Sequence, residues 1–136
     1  MKHLITLFIV FFIGLNIVAQ EPVQIIQTLS SRESQLTVLL DGPIVTKEWD
    51  KPYIQVKTTI STNDLRKEVL RRLVATNRYK LTEHSVDNML YIEALGTRKQ
   101  IIIRGKKMKE NFSYEILVPQ GTALSLPQPA AAAPAL

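Results

Sequence analysis

Tyr53-Ile54-Gln55-Val56-Lys57-Thr58-Thr59-Ile60 alternates without a break. Ile54, Val56, Thr58 and Ile60 fall on one face, and Tyr53, Gln55, Lys57 and Thr59 on the other. A period of two is the pattern of a strand buried on one side only. Immediately afterwards the period changes. At helical spacing, Leu65, Val69, Leu70, Leu73 and Val74 gather on one half of a cylinder, and Lys67, Glu68, Arg71 and Arg72 on the other. The spacing predicts a helix over 63–76. Ser61 with Asp64 resembles a capping box at its start, and Asn77 can end it in a left-handed turn. Such a helix needs a sheet to cover.

Upstream of this pair, Val23, Ile25 and Ile26 open a first strand, and Ser30 to Ser34 is a polar turn. Leu36 to Leu40 is a compact apolar run closed by Asp41-Gly42-Pro43. Ile44 to Trp49 follows, and Asp50-Lys51-Pro52 turns the chain into Tyr53. Downstream, Tyr79–Glu83, Met89–Ala94, Lys99–Arg104 and Phe112–Val118 are short and rich in β-branched or aromatic residues, as strands are. The last two are expected to form a hairpin with a basic tip, closed by Pro119-Gln120-Gly121-Thr122. Ala123 to Leu126 can start one more strand. The fold class expected is mainly β with one helix, as a small β-sandwich or a two-layer sheet-plus-helix domain.

Two ends differ from this middle. Lys2 and His3 precede 15 nearly continuous apolar residues, Leu4 to Val18, and Ala19 offers a small residue for cleavage before Gln20. That is the layout of a signal peptide over 1–19. An uncleaved anchor is the alternative, although a spanning helix needs roughly 20 residues. With no cysteine in the chain, a lipid-anchored form is excluded. From Pro127 to Leu136 only Pro, Ala, Gln and a terminal Leu occur, the composition of a disordered tail. The β-rich domain therefore spans 20–126, exported to the periplasm or cell surface. Membrane association is expected only through a retained signal.

Composition narrows the chemistry. Removing 19 of 136 residues leaves 117, enough for one domain with a real core. The chain has Cys 0, so neither a disulfide framework nor a thiolate zinc site is available. The net charge is +5, a mild basic excess that suits acidic glycans or anionic headgroups. No nucleic-acid partner is expected of an exported chain. His84 is the one histidine after the signal and sits among polar neighbours, and no G-x-S-x-G elbow accompanies it. Carboxylates are scattered, and Gly96 and Gly105 are isolated in turns, so no metal, cofactor or phosphate-loop pattern emerges. An enzyme is not expected.

Two places could make contacts. Trp49, the sole tryptophan, lies near Tyr53. Together they could form a stacking platform for a sugar ring, or simply anchor the start of a strand. Arg104-Gly105-Lys106-Lys107-Met108-Lys109 is the densest positive run. It could dock an acidic glycan, a lipid headgroup or an acidic partner, or it could be a solvated tip whose lysines discourage edge pairing.

Gly42-Pro43-Ile44-Val45-Thr46-Lys47-Glu48-Trp49-Asp50-Lys51-Pro52-Tyr53-Ile54-Gln55-Val56 resembles the opening of the adhesin-like domains, of auto-transporter head type, found in bacterial envelope proteins. Their "G-W-D-x-x-x-V-x-V" turn and strand has Glu48 here where the first glycine often stands. Asp87-Asn88-Met89-Leu90-Tyr91-Ile92 is similar to their "gn-x-L-x-I" strand, and Tyr114-Glu115-Ile116-Leu117-Val118-Pro119-Gln120-Gly121-Thr122-Ala123-Leu124 to their "hydrophobic strand, V-P-x-G-T-x-L" element. The resemblance covers about 42–126 and implies a non-enzymatic envelope domain of unknown function. In that group a long array of short β turns follows, whereas this sequence gives only its Pro/Ala stretch. The expected function is thus contact with an envelope protein or glycan. The alternative is a periplasmic accessory or sensor module that binds a protein partner, for example through an unpaired strand edge.

Overall fold

The computed structural model describes residues 21–29 and 33–126. The expected signal peptide over 1–19, the expected tail over 127–136 and most of the turn expected over 30–34 lie outside the described residues.

Ten strands, one helix and a 3-10 turn make up the described chain. The strands are β1 (Val23–Leu29), β2 (Gln35–Leu39), β3 (Ile44–Trp49), β4 (Ile54–Ser61), β5 (Thr82–Val86), β6 (Met89–Glu93), β7 (Ile102–Ile103), β8 (Lys106–Lys107), β9 (Asn111–Pro119) and β10 (Ala123–Ser125). The helix α1 is Lys67–Ala75, and the 3-10 turn is Leu95–Arg98. One sheet runs β1-β4-β9-β3, a second β10-β2-β6-β5, and β7 with β8 forms a separate two-stranded ribbon. The molecule is mainly β with one helix, as the alternation in 53–60 and the period change after it predict.

The inward row of β4 explains the layering. Ile54 and Val56 join Leu36, Val38, Leu90, Ile92, Ile116 and Val118 in one core between the two sheets. Ile60 instead packs with Leu70 of α1 and with Tyr79. Thr58 lies buried between them, and Phe112 touches both groups. The first sheet is thus longer than its partner: the second sheet covers one end and the helix covers the other. Its outward face is mixed: Glu115 lies between Lys47 (4.0 Å) and Lys57 (3.9 Å), and Ile26 and Val45 are exposed in the same cross-strand row. One polar side chain points inward without cost. The Gln27 amide bonds both the backbone N–H and the carbonyl of Leu81, each at 2.9 Å, so it replaces a rung of a ladder.

The structure departs from the expected elements in three places. The helix starts four residues later than predicted. Arg66 stands at its N-cap with extended backbone and no side-chain cap. Asp64 is used elsewhere: its own N–H bonds Thr62 Oγ1 (3.1 Å), and its carboxylate accepts the backbone N–H of Lys109 (2.7 Å). The strand expected over 79–83 is shifted to Thr82–Val86, because Tyr79 is drawn into the core under the helix. The link to β6 is then only Asp87-Asn88, with φ of 51° and 62°, the left-handed pair that a tight two-residue hairpin requires.

The third departure concerns Phe112–Val118. It does not pair with the segment 99–104. As β9 it inserts between β4, antiparallel, and β3, parallel, with Val56 and Thr46 flanking Ile116. The turn after it, Pro119 to Thr122, carries the chain to the second sheet. There β10 runs parallel to β2, and Thr122 bonds the Pro119 carbonyl through both its N–H (3.3 Å) and its hydroxyl (2.8 Å).

Candidate functional site: a pinned basic hairpin

With β9 drawn into the sheet, the basic segment closes on itself. Ile102 pairs with Lys107 and Ile103 with Lys106. Arg104 and Gly105 make the turn with φ of 51° and 77°, again the left-handed pair of a two-residue hairpin. The Met108 N–H bonds the Ile101 carbonyl at 2.8 Å and closes the stem.

Both legs of this hairpin are held by the body. On the outgoing leg, Thr62 Oγ1 donates to the Lys109 carbonyl at 2.6 Å while Asp64 accepts the Lys109 N–H, so both backbone groups of one residue are gripped. Glu110 follows and carries the strongest contacts. Arg78 approaches it as a fork, with Nε on Oε2 at 3.2 Å and Nη2 on Oε1 at 2.5 Å, and the Tyr79 hydroxyl donates to Oε2. The same guanidinium reaches the incoming leg, bonding the carbonyls of Gly96 (3.0 Å) and Lys99 (2.7 Å). The side chains of Arg78 and Glu110 are 11% and 6% exposed.

The end of α1 puts Arg78 at this hub. Asn77, at φ 61°, takes the left-handed position, and the N–H groups of Asn77 and Arg78 turn back onto Val74 (3.1 Å) and Leu73 (3.2 Å). These are the two bonds of a Schellman ending, so the next side chain leaves the helix in a fixed direction. Gly96 must then pass Arg78 closely: a Cβ there would lie 2.1 Å from the Arg78 carbonyl oxygen. Gly96→Ala is therefore expected to destabilise the fold by about 1–3 kcal/mol, the usual cost of overpacking. Equilibrium urea unfolding measures it.

Electrostatics follow the geometry. The hydrogen bonds with Glu110 raise the Arg78 pKa. Burial, reinforced by the bond with Glu110, raises that of Tyr79. Tyr114 is pushed up to about 12, chiefly by burial, with Asp41 and Glu110 adding to the shift. A phenol whose pKa is higher folded than unfolded keeps its proton longer in the native state. Its contribution to stability is complete below pH about 10, the ordinary phenol value, and is lost as pH rises towards the folded pKa. The protein should hold its melting temperature up to about pH 10 and lose it steeply above. Phenolate absorbance of these two tyrosines should appear together with unfolding.

The other expected contact residues lie at the far end. Trp49 donates its indole N–H to the Tyr53 carbonyl at 2.8 Å, and the two rings meet edge to face at 5.0 Å. The Lys51 ammonium lies over both, 5.1 Å from the Trp49 ring centre and 5.8 Å from that of Tyr53. The group thus satisfies itself as a turn anchor above the end of β9, where Trp49 is in register with Pro119. The eight residues of β4 separate it from the hairpin, about 25 Å at the rise of a strand. Trp49 and Tyr53 therefore do not share a surface with Arg104, Lys106, Lys107 and Lys109.

Two clefts flank Asp41. One, of about 650 Å³, is lined by residues that include Asp41, Ser61, Glu110 and Phe112. The other, of about 260 Å³, lies between Leu40, Ala94 and Arg98. Of the two carboxylates lining the first, Asp41 and Glu110, the latter is already committed to Arg78 and Tyr79. His84 stacks on Tyr91, its cross-strand partner, with rings 5.1 Å apart and 10° from parallel. Among the described residues, no three of His, Cys, Asp or Glu converge as a metal-ion site.

No protein-family model matches the chain, and no curated protein matches it. A similar solved structure is that of a "putative cell adhesion protein" from Clostridium sporogenes, 11% identical, with a TM-score of 0.42. The match covers 78% of this chain and 46% of the other, so this chain spans less than half of that protein's length.

Proposed function

We propose that the protein is an exported, non-enzymatic envelope protein of adhesin-like type that acts by surface contact through the basic hairpin. The observation that carries this is a ribbon rigid at its base and open at its tip. From Arg98 to Lys109 the sequence has six basic residues and no acidic one. At the base of the ribbon, Glu110 is held by Arg78 and Tyr79, Asp64 accepts the Lys109 backbone N–H, and Glu93 pairs with Arg98 at 3.7 Å, so these carboxylates sit away from the tip. The positive field of Arg104, Lys106, Lys107 and Lys109 is thus left for an acidic partner. The resemblance of 42–126 to adhesin-like envelope domains supports the same reading.

The test is binding of the purified protein to isolated bacterial envelopes. K106E/K107E/K109E should weaken binding by about tenfold or more, since each cation near an anionic surface contributes about 1 kcal/mol, and added salt should weaken the wild type. Binding unchanged by the triple reversal contradicts the proposal. The accessory-module alternative has its own feature, β5, an edge strand exposed along its whole length. It predicts instead a stoichiometric complex with one envelope protein that ignores the hairpin.

A further inference from the structure

The hairpin is not uniformly basic. Its returning strand presents Lys106 and Lys107, but its first strand presents Ile102 and Ile103, 60% and 40% exposed. Successive strand residues point to opposite faces, so each face of the ribbon carries one exposed isoleucine across from one lysine, Ile102 with Lys107 and Ile103 with Lys106, and neither isoleucine belongs to a buried core cluster. A soluble acidic polysaccharide offers them little, because its recognition rests on charge and hydrogen bonds. A lipid bilayer with anionic headgroups matches both strands at once. Apolar side chains enter the boundary between headgroups and acyl chains, and the lysines reach phosphates with their stems along the apolar edge. Arg104 at the turn adds a guanidinium suited to bidentate phosphate contact. The two-residue turn at Arg104-Gly105 keeps the tip narrow.

We infer that the acidic partner is a phospholipid surface, with Ile102 and Ile103 as the inserting residues and Arg104, Lys106 and Lys107 as the headgroup contacts. This rests on the surface-contact reading above and specifies its target. The experiment is co-sedimentation of the exported form, with 1–19 removed, with vesicles of phosphatidylethanolamine containing a minority of phosphatidylglycerol. Parallel arms use phosphatidylcholine vesicles and immobilised heparin as a lipid-free polyanion. The wild type should sediment with the anionic vesicles and not with the neutral ones. I102S/I103S, which alters only exposed side chains, should lose vesicle affinity by about tenfold or more while keeping its retention on heparin. K106Q/K107Q should lose both. Vesicle binding unaffected by I102S/I103S overturns the insertion. Retention on heparin without vesicle binding overturns the lipid target and leaves the anionic contact standing. Binding to neither removes both.

Discussion

Arg78→Ala should lower the unfolding free energy by about 3–5 kcal/mol, the range seen when one partner of a buried ion pair is removed. The reason lies in what remains. Glu110, 6% exposed, would keep a largely buried carboxylate with only the Tyr79 hydroxyl to answer it. The carbonyls of Gly96 and Lys99 would lose their donor as well. Glu110→Ala should cost a similar amount, and the double variant clearly less than the sum, because both changes break one network. Urea unfolding gives the three values. Losses under about 1 kcal/mol would mean that the pair is solvated and that the hub described here does not hold the hairpin. The same variant links stability to function. With Lys99 released, amide exchange at Met108, whose N–H closes the stem, should accelerate before the global fold is lost.

A second large effect compares one substitution at two isoleucines. Ile116→Ala should destabilise by about 2–5 kcal/mol, and Ile102→Ala by less than about 0.5 kcal/mol. Ile116 has no exposed surface and sits on the strand flanked by β4 and β3, facing the second sheet. Ile102 is 60% exposed on a ribbon outside both cores. Truncating the first leaves a cavity between two sheets that cannot close. Truncating the second removes a methyl-rich surface already in water. Comparable losses at the two positions would place the hairpin in the core and remove the reason for calling its isoleucines available.

The outline of the fold was legible wherever the information is local. The alternation of 53–60 states its own inward row, and Ile54, Val56, Thr58 and Ile60 are all buried. Asn77 ends the helix as its residue type suggests. Of the hairpin only the basic run was visible: the expected partners were Lys99–Arg104 and Phe112–Val118, whereas Ile102–Ile103 pairs with Lys106–Lys107. What could not be read is non-local. Nothing within Phe112–Val118 says that its neighbours are Gln55–Ile60 on one side and Ile44–Glu48 on the other, and adjacency along the chain suggested the wrong partner. Asp64 read as a helix cap because it stands three residues after a serine. Its bond to Lys109, 45 residues away, leaves no local mark. Glu110 and Arg78 carry the same lesson: each is an ordinary charged residue in its own segment, and only the Schellman ending after Asn77 brings them together. For the contact residues, sequence alone could not say that Trp49 and Tyr53 belong to one end of the sheet and the lysines to the other.

The absence of cysteine makes one measurement direct. Gln100→Cys places a single thiol beside the hairpin without altering its charge or its isoleucines, and an environment-sensitive dye attached there reports on that end alone. Trp49, the sole tryptophan, reports on the other. On titration with isolated envelopes, the dye should shift to a less polar environment while Trp49 emission stays unchanged. A response from Trp49 with a silent dye would put the contact on the opposite end of the molecule and contradict the role assigned to the hairpin.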